Sequence, residues 1–247
     1  MSYDNPHLVA VYDIDNPDGP DHDFFRELAT NSGSTEITDL GCGTGLLTVT
    51  LCGPGREVTG IDPSSAMLEQ ARTRQGGDRV QWIQGTSEQI SSNSADMVVM
   101  NGNVAMHILN AQWQTALSDI ARGLRPGGLL AFESRNPAAR AWEKWQQEAS
   151  WRETPAGILR ESLRTDPPGE DGVVVMHSTY EFDNGSVAND DQRLQFRSRE
   201  RIVEDLSMAG LNVTAVYRDW NGAPFTGGAD QPLMVFVAAR REGLDRD

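Results

Sequence analysis

In the first third of the chain, Asp39-Leu40-Gly41-Cys42-Gly43-Thr44-Gly45 sets a carboxylate two residues ahead of three alternating glycines. Glycine lets a backbone turn sharply and leaves open the volume that a side chain would take from a ligand. A helix starting just past such a turn adds free N–H groups. A second acid, Asp62, follows Gly45 by 17 residues. That is close to the roughly 20 that separate a nucleotide-binding turn from the carboxylate holding the ribose hydroxyls. These residue types at this spacing suit a nucleotide, and two details bear on which one. The order is Gly-x-Gly-x-Gly, whereas a dinucleotide turn has Gly-x-Gly-x-x-Gly. Asp39 would also repel a pyrophosphate, and a carboxylate there suits a cationic ligand.

Groups able to move a proton are few. The histidines are His7, His22, His107 and His177. His107 lies six residues past Asn101, on the carboxyl side of a predicted strand where ligands of such folds bind. It is the first candidate for a base or for an acceptor contact. His177 alternates away from the apolar face of its strand and could point into a pocket. Glu133, ending another strand, is the third candidate. Trp142, Trp145 and Trp151 either line an aromatic acceptor site or pack on the sheet edge.

The elements that must position these groups follow from periodicity. Apolar runs at 37–40, 58–61, 80–84, 96–101 and 129–133 read as strands, and helical patterns separate them. Ser64 is placed to cap the helix carrying Met67, Leu68 and Ala71, and residues 46–52 read as a helix after the glycine turn. Trp113, Leu117, Ile120, Ala121 and Leu124 form a long amphipathic stripe, closed by Arg125-Pro126-Gly127-Gly128. Strand and helix in this rhythm predict a doubly wound, mostly parallel seven-stranded α/β sheet with helices on both faces. Strands at 211–218 and 232–239 end it antiparallel. Residues 138–150 read as helix, and Val173–Phe182 pairs with 193–197 as a small antiparallel insertion. The expected organisation is one domain over 1–247, with a helical cap at 1–35 and an inserted acceptor-side cap at 136–197.

The 247 residues carry a formal charge of -15 and show no Lys/Arg cluster. Such a chain repels phosphate backbones and anionic lipid, so nucleic acid and membrane are poor partners. The N-terminus shows no basic stretch followed by an apolar core, and the expected location is cytoplasmic. Two cysteines, Cys42 and Cys52, make neither a disulfide framework nor a metal-ligand spacing. Oligomeric state has no signature in the sequence.

Four ordered motifs, Asp39 to Gly45, Asp62 at the end of a second strand, 96–101 in a fourth, and Leu124-Arg125-Pro126-Gly127-Gly128 before a fifth, resemble those of the class I methyltransferases that use S-adenosylmethionine. The small-molecule branch fits best. The resemblance implies a Rossmann-like fold and methyl transfer to an O, N or C nucleophile of a small molecule. It also implies a set of cofactor contacts. Asp39 would hold the methionine ammonium. Gly41, Gly43 and Gly45 would let the backbone approach, and Asp62 would accept both ribose hydroxyls. Met67 would lie against the adenine, Thr86 or Ser87 would meet its edge, and the Asn101 carbonyl would meet the ammonium. No metal is implied. Two other readings remain open: a nicotinamide-dependent oxidoreductase, and a non-catalytic module that keeps the fold and binds the cofactor.

Overall fold

The computed structural model describes residues 5–155 and 157–242. Two helices, α1 (Pro6–Asp15) and α2 (Pro20–Asn31), precede the first strand, each with proline in its first turn. The central sheet then builds from β1 (Glu36–Leu40), α3 (Thr48–Leu51), β2 (Glu57–Asp62), α4 (Ser65–Thr73), β3 (Val80–Gln84) and β4 (Ala95–Met100). It continues through α5 (Val104–His107), α6 (Asn110–Gly123) and β5 (Leu124–Arg135). A second sheet follows, of β6 (Gln147–Thr154), β7 (Gly157–Thr165), β8 (Val173–Phe182) and β9 (Val187–Gln195). The first sheet is completed by α7 (Arg199–Met208), β10 (Leu211–Tyr217) and β11 (Leu233–Arg240).

The seven strands lie in the order β10-β11-β5-β4-β1-β2-β3. The pairs from β3 to β5 are parallel, and β11 runs antiparallel to both its neighbours. This is the expected Rossmann-like sheet, and the strand order reverses between β1 and β4, where such sheets open a crevice. Its two faces bury separate cores. Phe132, Phe236, Trp113 and Leu206 fill one side, and Phe25, Ile37, Leu51 and Val99 fill the other. Ser64 and Ser198 cap α4 and α7 as their types predict, each accepting a backbone N–H at 3.2 Å. Among the described residues, no helix is long and apolar enough to cross a membrane.

Three local expectations change. Residues 138–150 are not a helix. Arg140 turns with φ 49° between two short 3-10 turns, Pro137–Ala139 and Ala141–Lys144, and β6 begins at Gln147. Cross-strand pairing with β7 outweighs the local helical composition. The insertion therefore has four strands rather than two, in the order β6-β7-β8-β9. The helix after the glycine turn shrinks to the four residues of α3, because residues 41–47 stay in the turn. Finally, Pro126-Gly127-Gly128 does not precede β5 but bulges within it, since Ala95 pairs with Leu124 and Met97 with Leu129.

The second sheet is rooted beside β5. Trp142 packs edge-on to Phe196, with ring centres 4.8 Å apart, and Met106, Val174 and Leu194 close the cluster. Leu8 of α1 packs on Leu159 and Phe182. Thus α1 lies between the central sheet's carboxyl edge and the inner face of the second sheet.

Candidate active site

Asp39 lies one residue before the end of β1, on the face that carries Ile37. Because Asp39, Val99 and Ala131 are in register across β1, β4 and β5, Asn101 and Glu133 stand on the same face two residues on. Three polar groups therefore meet above the sheet at the reversal of strand order. The Asp39 carboxylate is 2% exposed and accepts the Thr48 hydroxyl at 2.7 Å. Burial pushes it up to about 7; the Thr48 bond opposes this and the Asp62 charge adds to it. Glu133, equally buried, is likewise pushed up to about 7 by burial against the pull of the Asn103 N–H it accepts. Asn101 Oδ1 and Glu133 Oε2 are buried without any hydrogen-bond partner. Two adjacent orphaned acceptors are the signature of a missing donor.

Asp62 ends β2 and anchors the glycine turn. It accepts the Gly43 N–H on one oxygen and the Ser64 N–H on the other, both at 2.8 Å. The three glycines divide in role. A Cβ at Gly41 would lie 2.4 Å from Val104, and one at Gly45 would lie 2.5 Å from the Trp82 ring. Only Gly43 opens onto space, its nearest neighbour being the Tyr12 ring at 3.8 Å. Protein packing thus demands Gly41 and Gly45, and of the three only Gly43 leaves room beside the turn. Met67 is buried on α4 and reaches the adjoining cavity. Thr86 precedes a 3-10 turn, and the Ser87 hydroxyl is given to Asp119 at 2.8 Å.

Over this row lies Tyr12, a residue that periodicity could have exposed. Leu8, Val11, Tyr12 and Asp15 recur at helical spacing on α1, and all four line one cavity of about 580 Å³. Burial pushes the Tyr12 phenol up to about 12, with Asp62, Asp13, Glu133 and Asp39 adding to the effect. Four carboxylates thus act on one ring. Asp13 accepts the Thr44 hydroxyl at 2.5 Å and an Arg74 guanidinium N–H. Arg74 Nε also donates to the Thr44 carbonyl at 3.0 Å. This clasp ties α1 to the glycine turn. At its far end Asp15 meets Arg152 of β6 at 2.7 Å, and Arg152 reaches Glu161 of β7 at 3.2 Å.

His107 lines the cavity floor with Gly102, Asn103 and Arg135. Burial lowers its pKa and Asp190 on β9 partly offsets this, so its ring is neutral near pH 7. His177 does not point into the cavity. It faces outward on β8, held by Asp191 at 2.7 Å and Asp166 at 3.0 Å. Of the three tryptophans, Trp145 reaches the cavity, Trp142 packs in the root of the second sheet, and Trp151 is 61% exposed. The far wall of the cavity comes from the inner face of the second sheet, through Glu161, Met176, Tyr180 and Gln192.

Residues 37–128 match the family described as methyltransferase domain. Among curated proteins, a malonyl-[acyl-carrier protein] O-methyltransferase of Priestia megaterium is 33% identical over 46% of this chain and 42% of its own length. The chain thus spans less than half of that relative. Among solved structures, the CcbJ methyltransferase of Streptomyces caelestis superposes with a TM-score of 0.76 at 19% identity, covering 98% of this chain and 99% of the other. CalS10 of Micromonospora echinaspora, an amino pentose methyltransferase solved with S-adenosylmethionine bound, gives 0.65 at 19% identity over 93% and 96%. Likeness at that identity is likeness of fold. Residues 37–128 thus match a methyltransferase domain, and the chain as a whole has the fold of these two solved methyltransferases.

Proposed function

We propose that this chain transfers a methyl group from S-adenosylmethionine to a small-molecule acceptor. The observation that carries this reading is the convergence of Asp39, Asp62 and Glu133 beneath Tyr12, with two orphaned acceptor atoms, beside a cavity of about 580 Å³. Buried carboxylates beside orphaned acceptor atoms fit a cationic, donor-rich ligand and oppose a pyrophosphate. The residues present therefore fit this cofactor, and the oxidoreductase reading loses ground.

In this reading Asp39 and the carbonyl of Asn101 hold the methionine ammonium. Asp62 holds the ribose, Gly43 gives the backbone its close approach, and Met67 lies along the adenine. Because the Ser87 hydroxyl is committed to Asp119, the adenine edge is left to Thr86 and to the Ser87 backbone. The cofactor supplies a methyl on a positively charged sulfur, a good leaving group that needs no activation by the protein. The chain's contribution is then placement and exclusion of water. Tyr12 and α1 cover the turn, and the second sheet covers the acceptor. The described residues 5–35 and 136–155 with 157–197 act as the two caps of the site, residues 1–4 and 156 lying outside the described residues. His107, neutral on the cavity floor, is placed to take a proton from an acceptor that must lose one.

Isothermal titration with S-adenosylmethionine and S-adenosylhomocysteine tests this directly, with NAD and NADP as parallel arms. Heat and thermal protection from the first pair are expected. Silence from both, or protection by a dinucleotide instead, refutes the proposal.

A further inference from the structure

Arg135 ends β5 two residues past Glu133, on the same face and roughly 7 Å farther along the strand. Strand order sets it apart from the cofactor row, because β4 separates β5 from β1 and Asp62 of β2 lies beyond β1. Its half-buried side chain lines the cavity with Gly102, Asn103 and His107. One side of the guanidinium is fixed, since Nε donates to Asn103 Oδ1 at 3.0 Å. Asn103 is fixed in turn, by a left-handed φ of 64° and by the N–H it gives to Glu133. Among the described residues the guanidinium makes no other hydrogen bond and no ion pair. Both Nη nitrogens therefore have no protein partner, and together they form the end-on fork that matches the two oxygens of a carboxylate. The carboxylates on the cavity wall are already answered, because Asp15 and Glu161 share Arg152 at 2.7 and 3.2 Å. Those two acids with Arg152 and Arg135 carry no net charge. The wall's one open feature among these charged groups is a pair of charged donors.

Four kinds of polar group meet this fork differently. An ammonium is repelled by the guanidinium and finds the lining carboxylates paired. A hydroxyl has a single oxygen and cannot bridge the two nitrogens in parallel. A phosphate dianion brings twice the charge to one open guanidinium, with Glu161 on the far wall. A carboxylate takes both Nη groups at once, in charge-assisted bonds of matching geometry and charge. Beyond the fork the walls are apolar and aromatic, through Trp145, Leu163, Met176 and Leu194. We propose that the acceptor is a small molecule bearing a carboxylate, seated on the two Nη groups of Arg135 with an apolar or aromatic body against those four side chains. This rests on the methyltransferase reading above.

In this role Arg135 selects and orients the acceptor and takes no part in the displacement at the methyl carbon. Orientation is the contribution such a reaction asks of the protein. The arginine suits the task because its Nε is anchored before the ligand arrives, so little rotamer freedom is left to lose on binding. Lysine at this position would keep the charge and lose the fork.

Matched probes test the proposal on the full chain. Para-hydroxyphenylacetate, its alcohol tyrosol and its amine tyramine share one ring and differ in the end group. Benzoate and phenyl phosphate form a second pair. Each is titrated by calorimetry into protein saturated with S-adenosylhomocysteine. Each carboxylate is expected to bind at least about tenfold more tightly than its partners. Arg135→Gln should weaken carboxylate binding roughly 10- to 100-fold and leave tyrosol unchanged, while Arg135→Lys should fall between. Melting temperatures certify the fold of both variants, and Arg135→Lys serves alone if Arg135→Gln fails to fold. Equal or tighter binding by the alcohol, the amine or the phosphate, or no binding by any probe, overturns the carboxylate assignment and leaves the methyltransferase reading intact. Carboxylate binding untouched by both substitutions removes Arg135 from the role. A folded variant that loses affinity for S-adenosylhomocysteine instead gives the fork to the cofactor's own carboxylate, and the proposal fails. Failure of the unsubstituted chain to bind S-adenosylhomocysteine refutes the underlying reading.

Discussion

Alanine at Gly45 and alanine at Gly43 should fail in different ways, although the two positions look alike in the sequence. Both residues have positive φ, 74° and 53°, so alanine costs about 1–2 kcal/mol at either from backbone strain alone. At Gly45 the new Cβ would also stand 2.5 Å from Trp82 Cη2 and 3.1 Å from Ala71 Cβ. The indole cannot swing away freely, because its Nε1 donates to the Gly77 carbonyl at 2.8 Å and its ring also covers Gly60. Overpacking of this kind adds about 1–3 kcal/mol. With about 2–4 °C lost per kcal/mol in a domain of this size, Gly45→Ala should melt roughly 4–20 °C lower and Gly43→Ala roughly 2–8 °C lower. Affinity for S-adenosylhomocysteine should show the reverse order, because Gly43 alone faces open space. A double-mutant cycle isolates the contact: in a Trp82→Phe background, which withdraws the ring edge, Gly45→Ala should cost less. Thermal and urea melts of the four proteins, with calorimetry of the ligand, decide it. Equal melting losses at the two glycines, or an unchanged cost in the Trp82→Phe background, would refute the division of roles.

Other perturbations follow from the same geometry. Asp62→Ala removes the acceptor of two backbone N–H groups as well as the proposed ribose contact, so S-adenosylhomocysteine affinity by calorimetry should fall roughly 10- to 100-fold. Burial holds Asp39 and Glu133 near about 7, above their unfolded values. Their contribution to the stability of the ligand-free protein is full below the ordinary carboxylate range and is lost as pH rises through about 7. Over the same window cofactor affinity should rise, and Asp39→Asn should flatten the melting profile. Asp13→Asn weakens the clasp on Thr44 and Arg74, and stopped-flow should show faster release of S-adenosylhomocysteine. Asp205→Ala strips acceptors from Trp113 at 3.0 Å, Gln114 at 2.7 Å and Arg201 at 3.0 Å, far from the cavity. Denaturant melts should show a loss of about 2–4 kcal/mol with ligand affinity unchanged.

What could be read from the sequence and what could not follow different physical rules. The cofactor half is legible because its residue types answer local demands. Glycines turn a backbone through positive φ, a serine caps a helix, and buried parallel strands read as apolar runs. Even there the reason for a glycine was not legible, because Val104 and Trp82 approach Gly41 and Gly45 from distant parts of the chain. The acceptor half answers to pairing across strands instead. Residues 147–154 become a strand because β7 is there to receive them. On β7 itself Leu159, Glu161 and Leu163 alternate onto one face. The acid between the leucines obscures a period of two, and it does so because that position faces a cavity and not a core. Local rules break where a side chain serves a ligand. By that reasoning Glu161, which spoils the pattern on β7, does so because it lines the cavity.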